Sequence, residues 1–262
     1  MKSWRIFKHS IKQLIGNWKT VLRIVLPALL LSLALDAFVS REIIFLSVDD
    51  VRHQIQWIAS TYHGEKLLEI YAAAFIKLIL GLWVAITWHR YVLLNEIPSI
   101  PPKFRGKRIS AYFLKGILVT LPAFLLVLPI ILPIIILSML YKSPNTEPVT
   151  LIFILLALIF IAAFIIILRL STLLPGAALG KSTSMLETWR ITSGETKVFA
   201  GLSVVMILLT LAFSAANYLM PDIPFIIALA WQNIAVYLQT VIILSMLTTL
   251  YGHYIERRSL IA

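Results

Sequence analysis

The chain has 262 residues, 60% of them hydrophobic and only 13% charged, with a formal net charge of +11. A soluble domain carries about 25% charged residues, so this composition excludes an ordinary soluble fold and points to a polytopic membrane protein. The absence of cysteine excludes a disulfide framework, thiolate chemistry and a Cys-ligated metal.

In chain order, residues 1–19 come first. Within them Ile6, Phe7, Ile11, Leu14, Ile15 and Trp18 form one helical stripe, while Lys8, Lys12 and Gln13 fall elsewhere. That pattern predicts a cytoplasmic interfacial helix. The stretch is too long and mixed for a signal-peptide n-region. Six apolar runs follow, at about 21–40, 67–89, 113–140, 150–169, 198–220 and 225–251. Each is near the ~20 residues that a bilayer core requires. Between the first two, residues 47–60 open on the capping pair Ser47 and Asp50 and predict a second interfacial helix. The third run holds Pro122, Pro129 and Pro133, which predict a bend.

Eighteen of the 23 Lys and Arg residues fall in segments on one side of these six runs, against four on the other, with Lys77 inside a run. The bias places both termini in the cytoplasm of a bacterial inner membrane. The cytoplasmic stretch "PPKFRGKR" carries Lys103, Arg105, Lys107 and Arg108. With Arg90 and Arg169 at the inner helix ends, they are candidate contacts for anionic headgroups. Nucleic acid is not expected, since no binding module for it is present.

Lys77 lies about ten residues below the outer surface, ~15 Å at 1.5 Å per residue. A lysine there normally faces protein or water. Ala73, Lys77 and Gly81 share a face with Ala74, and small residues admit a close neighbour. Ala28, Ser32 and Asp36 make a matching strip on the first run. Helical side chains lean toward their own N-terminus. In antiparallel neighbours, Lys77 and Asp36 therefore lean toward one another and form a candidate intramembrane polar pair. Three roles are open: a structural ion pair, a neutral buried lysine, or a site for an anionic ligand or coupling proton. Asn217, Gln232, Asn233 and Gln239 are expected to pack between helices.

The chain repeats weakly. Gly16-Asn17-Trp18-Lys19 aligns with Gly194-Glu195-Thr196-Lys197, and "RISAYFLKGIL" is a looser third copy. The expected architecture is an all-α bundle of six transmembrane helices in one membrane domain, 1–262. It comprises three parallel helical-hairpin repeats, each opened by a cytoplasmic amphipathic segment.

"RLSTLLPGAALGKSTSMLETWRITSGETKVFAG" carries Arg169, Leu173, Leu174, Pro175, Ala177, Ser184, Trp189, Thr192 and Gly194. In these residues, and in "WHRYVLLNE", the chain resembles a bacterial six-span family. That family includes the membrane domain of some glycerophosphodiester phosphodiesterases and stand-alone relatives of the YciC type. The resemblance implies the membrane fold. It does not bring the hydrolase activity, because the catalytic domain has no counterpart in this sequence.

No motif for a catalytic site, metal or cofactor stands out. The histidines, including His53 and His63 of the outer loop, lack metal-binding spacing. No nucleophile elbow is present. The expectation is a non-enzymatic inner-membrane protein that organises membrane lipids or a partner membrane protein through its basic face. The alternative is a small permease or lipid-handling transporter that uses the Lys77/Asp36 region.

Overall fold

The computed structural model describes residues 2–41, 65–140, 147–181, 183–218 and 223–260. The helices are α1 (Lys2–Gly16), α2 (Trp18–Val39), α3 (Glu65–Leu94), α4 (Gly106–Leu140), α5 (Glu147–Leu170), α6 (Leu174–Leu179), α7 (Met185–Ile191), α8 (Thr196–Tyr218) and α9 (Phe225–Tyr254). No strand occurs among the described residues. Six helical stretches are long and apolar enough to cross a membrane, the build of a multi-pass membrane protein. The outer segment 47–60, His53, His63 and the side chain of Asn217 lie outside the described residues.

α9 is the hub. It packs against α1, α2, α3, α6 and α8. Of its most apolar stretch 61% is buried, against 12% for α4 at the rim. Its buried face carries polar groups at helical spacing: Asn233, Tyr237, Ser245, Thr248 and Thr249. Buried polar groups require partners, and these find them on other helices. Tyr237 donates to the Ala28 carbonyl at 3.1 Å and lies 2.8 Å from the Ser32 hydroxyl. The Ser245 hydroxyl lies 2.9 Å from both Ser10 O and Gln13 Oε1 on α1. Ser10 Oγ reaches Thr249 Oγ1 at 3.0 Å.

Thr248 meets His89 of α3. Its hydroxyl donates to the Leu244 carbonyl at 2.6 Å, so its oxygen is left to accept from His89 Nδ1 at 2.7 Å. His89 Nε2 then accepts from the Tyr112 hydroxyl of α4 at 3.1 Å. The hydrogen bonds thereby assign the Nδ1–H tautomer. The imidazole is fully buried and stacks on Tyr112. One histidine thus ties α3, α4 and α9.

α1 differs from a helix floating in an interface. Ile6 is fully buried, and α1 packs on α8 and α9. Ile15 and Trp18 of the predicted stripe stay exposed. Asn17 breaks the chain between α1 and α2, its amide donating to Gln13 O at 2.7 Å. The third proposed repeat copy has no such break: "RISAYFLKGIL" lies inside the unbroken α4, which also runs through all three prolines.

α5 (Glu147–Leu170) spans the expected fourth run, 150–169, and the chain continues past it through a 3-10 turn (Ser171–Leu173) into α6. Residues 170–178 are all buried, covered by α3, α4 and α9. Local chemistry still writes the stop. Pro175 sits at the start of α6, where its missing N–H costs nothing. Gly180 closes the helix at φ +83°, a conformation open to glycine.

Candidate functional site

Asp36 on α2, Lys77 on α3 and Asn233 on α9 meet in one polar junction. Lys77 Nζ donates to Asp36 Oδ1 at 2.9 Å and Oδ2 at 2.8 Å. Asn233 Nδ2 donates to Asp36 Oδ2 at 2.7 Å and to its own helix at Leu229 O, 3.0 Å. The carboxylate thus accepts three charge-assisted hydrogen bonds, two of them from the ammonium. The side chains of Lys77 and Asp36 remain 35% and 19% exposed, so the pair is partly open.

Two hollows flank it. One of ≈220 Å³ is lined by Ser32, Asp36, Lys77, Gln232, Asn233 and Tyr237, among others. The other, of ≈390 Å³, is lined by Asp36, Val39, Ile70, Ala73, Ala74 and Lys77. The sequence pairs Lys77 with Asp36 but leaves out the third helix. Ala28 and Ser32 face Tyr237 of α9, and both are fully buried. Gly81 does not make room for a close helix: a Cβ there would meet nothing within 4 Å.

A second site lies at the opposite end of α3. There the segments α1, 95–105, α6, α7 and the close of α9 gather. Lys2 pairs with Glu195 at 2.5 Å, Lys181 with Glu256 at 2.7 Å, and Arg258 reaches Leu93 O at 3.0 Å. Asn95 ends α3 in the left-handed region at φ 54°. The chain then folds back so that Glu96 accepts from Arg90 Nε at 2.8 Å and Nη2 at 2.6 Å. Arg105 bonds the other carboxylate oxygen. Arg90, Glu96, Ser99, Lys103 and Arg105 line a hollow of ≈400 Å³. Beside it Ile97 and Ile100 are 75% and 72% exposed.

Partial burial pushes the Glu96 carboxyl up, but the hydrogen bonds and charges of Arg90 and Arg105 outweigh it and hold it below its ordinary 4.5. A carboxyl with a lower folded than unfolded pKa adds stability above 4.5 and loses it as pH falls through the folded value. Glu96→Gln should therefore flatten the acid limb of a melting-temperature profile below pH 4.5. Parallel acid limbs for the two proteins would show that Glu96 is not held by its arginines.

Of the predicted headgroup contacts, Arg90 and Arg105 are joined through Glu96, and Lys103 and Lys107 are exposed. Arg108 packs its guanidinium against Gly180. Arg169 is a correction. It is 5% exposed, its Nε donates to Thr192 Oγ1 at 2.9 Å, and its guanidinium lies 4.0 Å over the Trp189 ring. Those contacts cover its charge and remove it from any headgroup surface. They also give a physical reason for the spacing of Arg169, Trp189 and Thr192: the three form one contact that pins α5 to α7. Among the described residues no group of three or more His, Asp or Glu is placed to hold a metal.

Comparison with protein families, curated proteins and solved structures gave no match.

Proposed function

We propose that the chain is a non-enzymatic protein of the bacterial inner membrane, with both termini cytoplasmic. It gathers anionic lipid headgroups, or a partner membrane protein, on its basic face. The observation that carries this reading is the ≈400 Å³ hollow at the basic end, where Arg90, Lys103 and Arg105 stand against the single carboxylate of Glu96. Exposed Ile97, Ile100 and Phe104 adjoin it, fit to sit among acyl chains while the basic groups meet phosphates. Each basic residue near an anionic surface contributes ~1 kcal/mol. The positive-inside bias supports the orientation. Matching breaks before α2 and α8 support a repeat for two of the three copies. The resemblance to the six-span family belongs to this proposal and rests on the residues named above.

The test is purification in mild detergent with mass spectrometry of retained lipid. Phosphatidylglycerol or cardiolipin should be enriched over phosphatidylethanolamine. Lys103→Gln with Lys107→Gln, both exposed, should weaken binding to phosphatidylglycerol vesicles at low salt by up to about thirtyfold, two charges at ~1 kcal/mol each. Lipid retained in the bulk membrane ratio, with no loss in the variant, would sink the proposal.

A second reading, a small permease or lipid-handling transporter, is favoured by the two hollows that meet at Lys77 and Asp36.

A further inference from the structure

The two hollows at the Lys77–Asp36 junction differ in chemistry. The ≈220 Å³ hollow presents the hydrogen-bonding groups of Ser32, Gln232, Asn233 and Tyr237 beside Leu229 and Val236. The ≈390 Å³ hollow adds Val39, Ile70, Ala73 and Ala74, all apolar. Asp36 and Lys77 wall both. A polar chamber and an apolar groove with a shared wall match an amphiphile with a small head and a hydrocarbon chain.

We infer that this junction binds an uncharged, hydroxyl-bearing amphiphile of the diacylglycerol type, head in the polar hollow and chain along Val39, Ile70 and Ala74. The charge balance selects the neutral head. Lys77 and Asp36 already cancel, and Asn233 closes the carboxylate. An anionic or cationic head would leave a net charge among apolar helices, which is strongly disfavoured. A hydroxyl both donates and accepts, and the site offers both functions. Lys77 spends two of its three N–H bonds on Asp36. Gln232 presents an exposed amide with a donor and an acceptor. The apolar groove is lined by residues of α2 and α3, two of the helices long and apolar enough to cross a membrane.

This inference extends the lipid-handling reading but requires binding alone. Labelling without any transport would leave it standing while removing that reading. The experiment places the protein in phosphatidylcholine nanodiscs with a diacylglycerol carrying a diazirine on one chain, and maps adducts by mass spectrometry after illumination. Adducts should concentrate on Val39, Ile70 and Ala74. Unlabelled diacylglycerol should compete, and phosphatidic acid with the same chains should not. Gln232→Leu should lower labelling about fivefold, the equivalent of one hydrogen bond of ~1 kcal/mol. Ala74→Trp should abolish adducts at Ile70. Both positions are exposed, and both variants should melt with the wild type. Equal competition by phosphatidic acid would overturn the neutral-head assignment. Adducts spread along all lipid-facing residues, unchanged in the variants, would overturn the site.

Discussion

Asp36→Asn should lower the melting temperature by roughly 5–10 °C. The change leaves Lys77 charged without its carboxylate. A lysine in an apolar membrane environment costs ~2.5–3.5 kcal/mol, and 1 kcal/mol moves the melting point of a chain this size by about 2–4 °C. Asparagine still accepts from Asn233 Nδ2, so the loss isolates the ion pair and spares the amide contact. Lys77→Met should cost a similar amount, because it strands the carboxylate with the amide of Asn233 as its remaining donor across helices. The partial exposure of Lys77 sets the lower end of the range, since its head can reach toward water. Unchanged melting of Asp36→Asn would show that the pair is ornamental.

His89→Ala should destabilise by about 3–5 kcal/mol, as expected for emptying a fully buried aromatic-sized site. His89→Leu separates the volume from the hydrogen bonds. It fills the space but leaves the Tyr112 hydroxyl without the acceptor at 3.1 Å, at about 1–3 kcal/mol. Thr248 keeps its bond to Leu244 O in either variant, so the loss falls on the α3–α4 contact more than on α9. Chemical denaturation of the detergent-solubilised protein measures both. Equal stability of His89→Leu and the wild type would mean that packing alone holds the three helices.

What the sequence shows of this structure follows from the range of each signal. Hydropathy acts along the chain, so the apolar helices are visible, and lateral spacing plus side-chain lean suffices to pair Lys77 with Asp36. Neither signal says which helix lies opposite a given face. Asn233 is legible as a group that packs between helices, but that it meets Asp36, and that Tyr237 meets Ala28 and Ser32, follows only once α9 is known to be the hub. The same holds for His89, which sits beside Arg90 at a helix end and reads as an interfacial anchor. Only the packing of α3 against α4 and α9 buries it. "STLLPGAALG" lies beyond the predicted fourth run, and its proline and glycine are local breakers. Burial by three neighbouring helices is a tertiary effect that local chemistry does not announce. Arg169 sits in the last turn of α5, but its stacking on Trp189 depends on where α7 returns.

The central claim is that Lys77 and Asp36 form one energetically coupled unit within a three-helix junction. The most direct measurement is a thermal double-mutant cycle of Asp36→Asn and Lys77→Met in the purified protein. Removing both charges restores neutrality, and replacing an internal ion pair by neutral groups is often close to neutral in stability. The double variant should therefore melt within a few degrees of the wild type and well above either single variant, a coupling of about 2 kcal/mol or more. Additive losses, with the double variant melting lowest of all, would contradict the coupling and with it the junction as a functional unit.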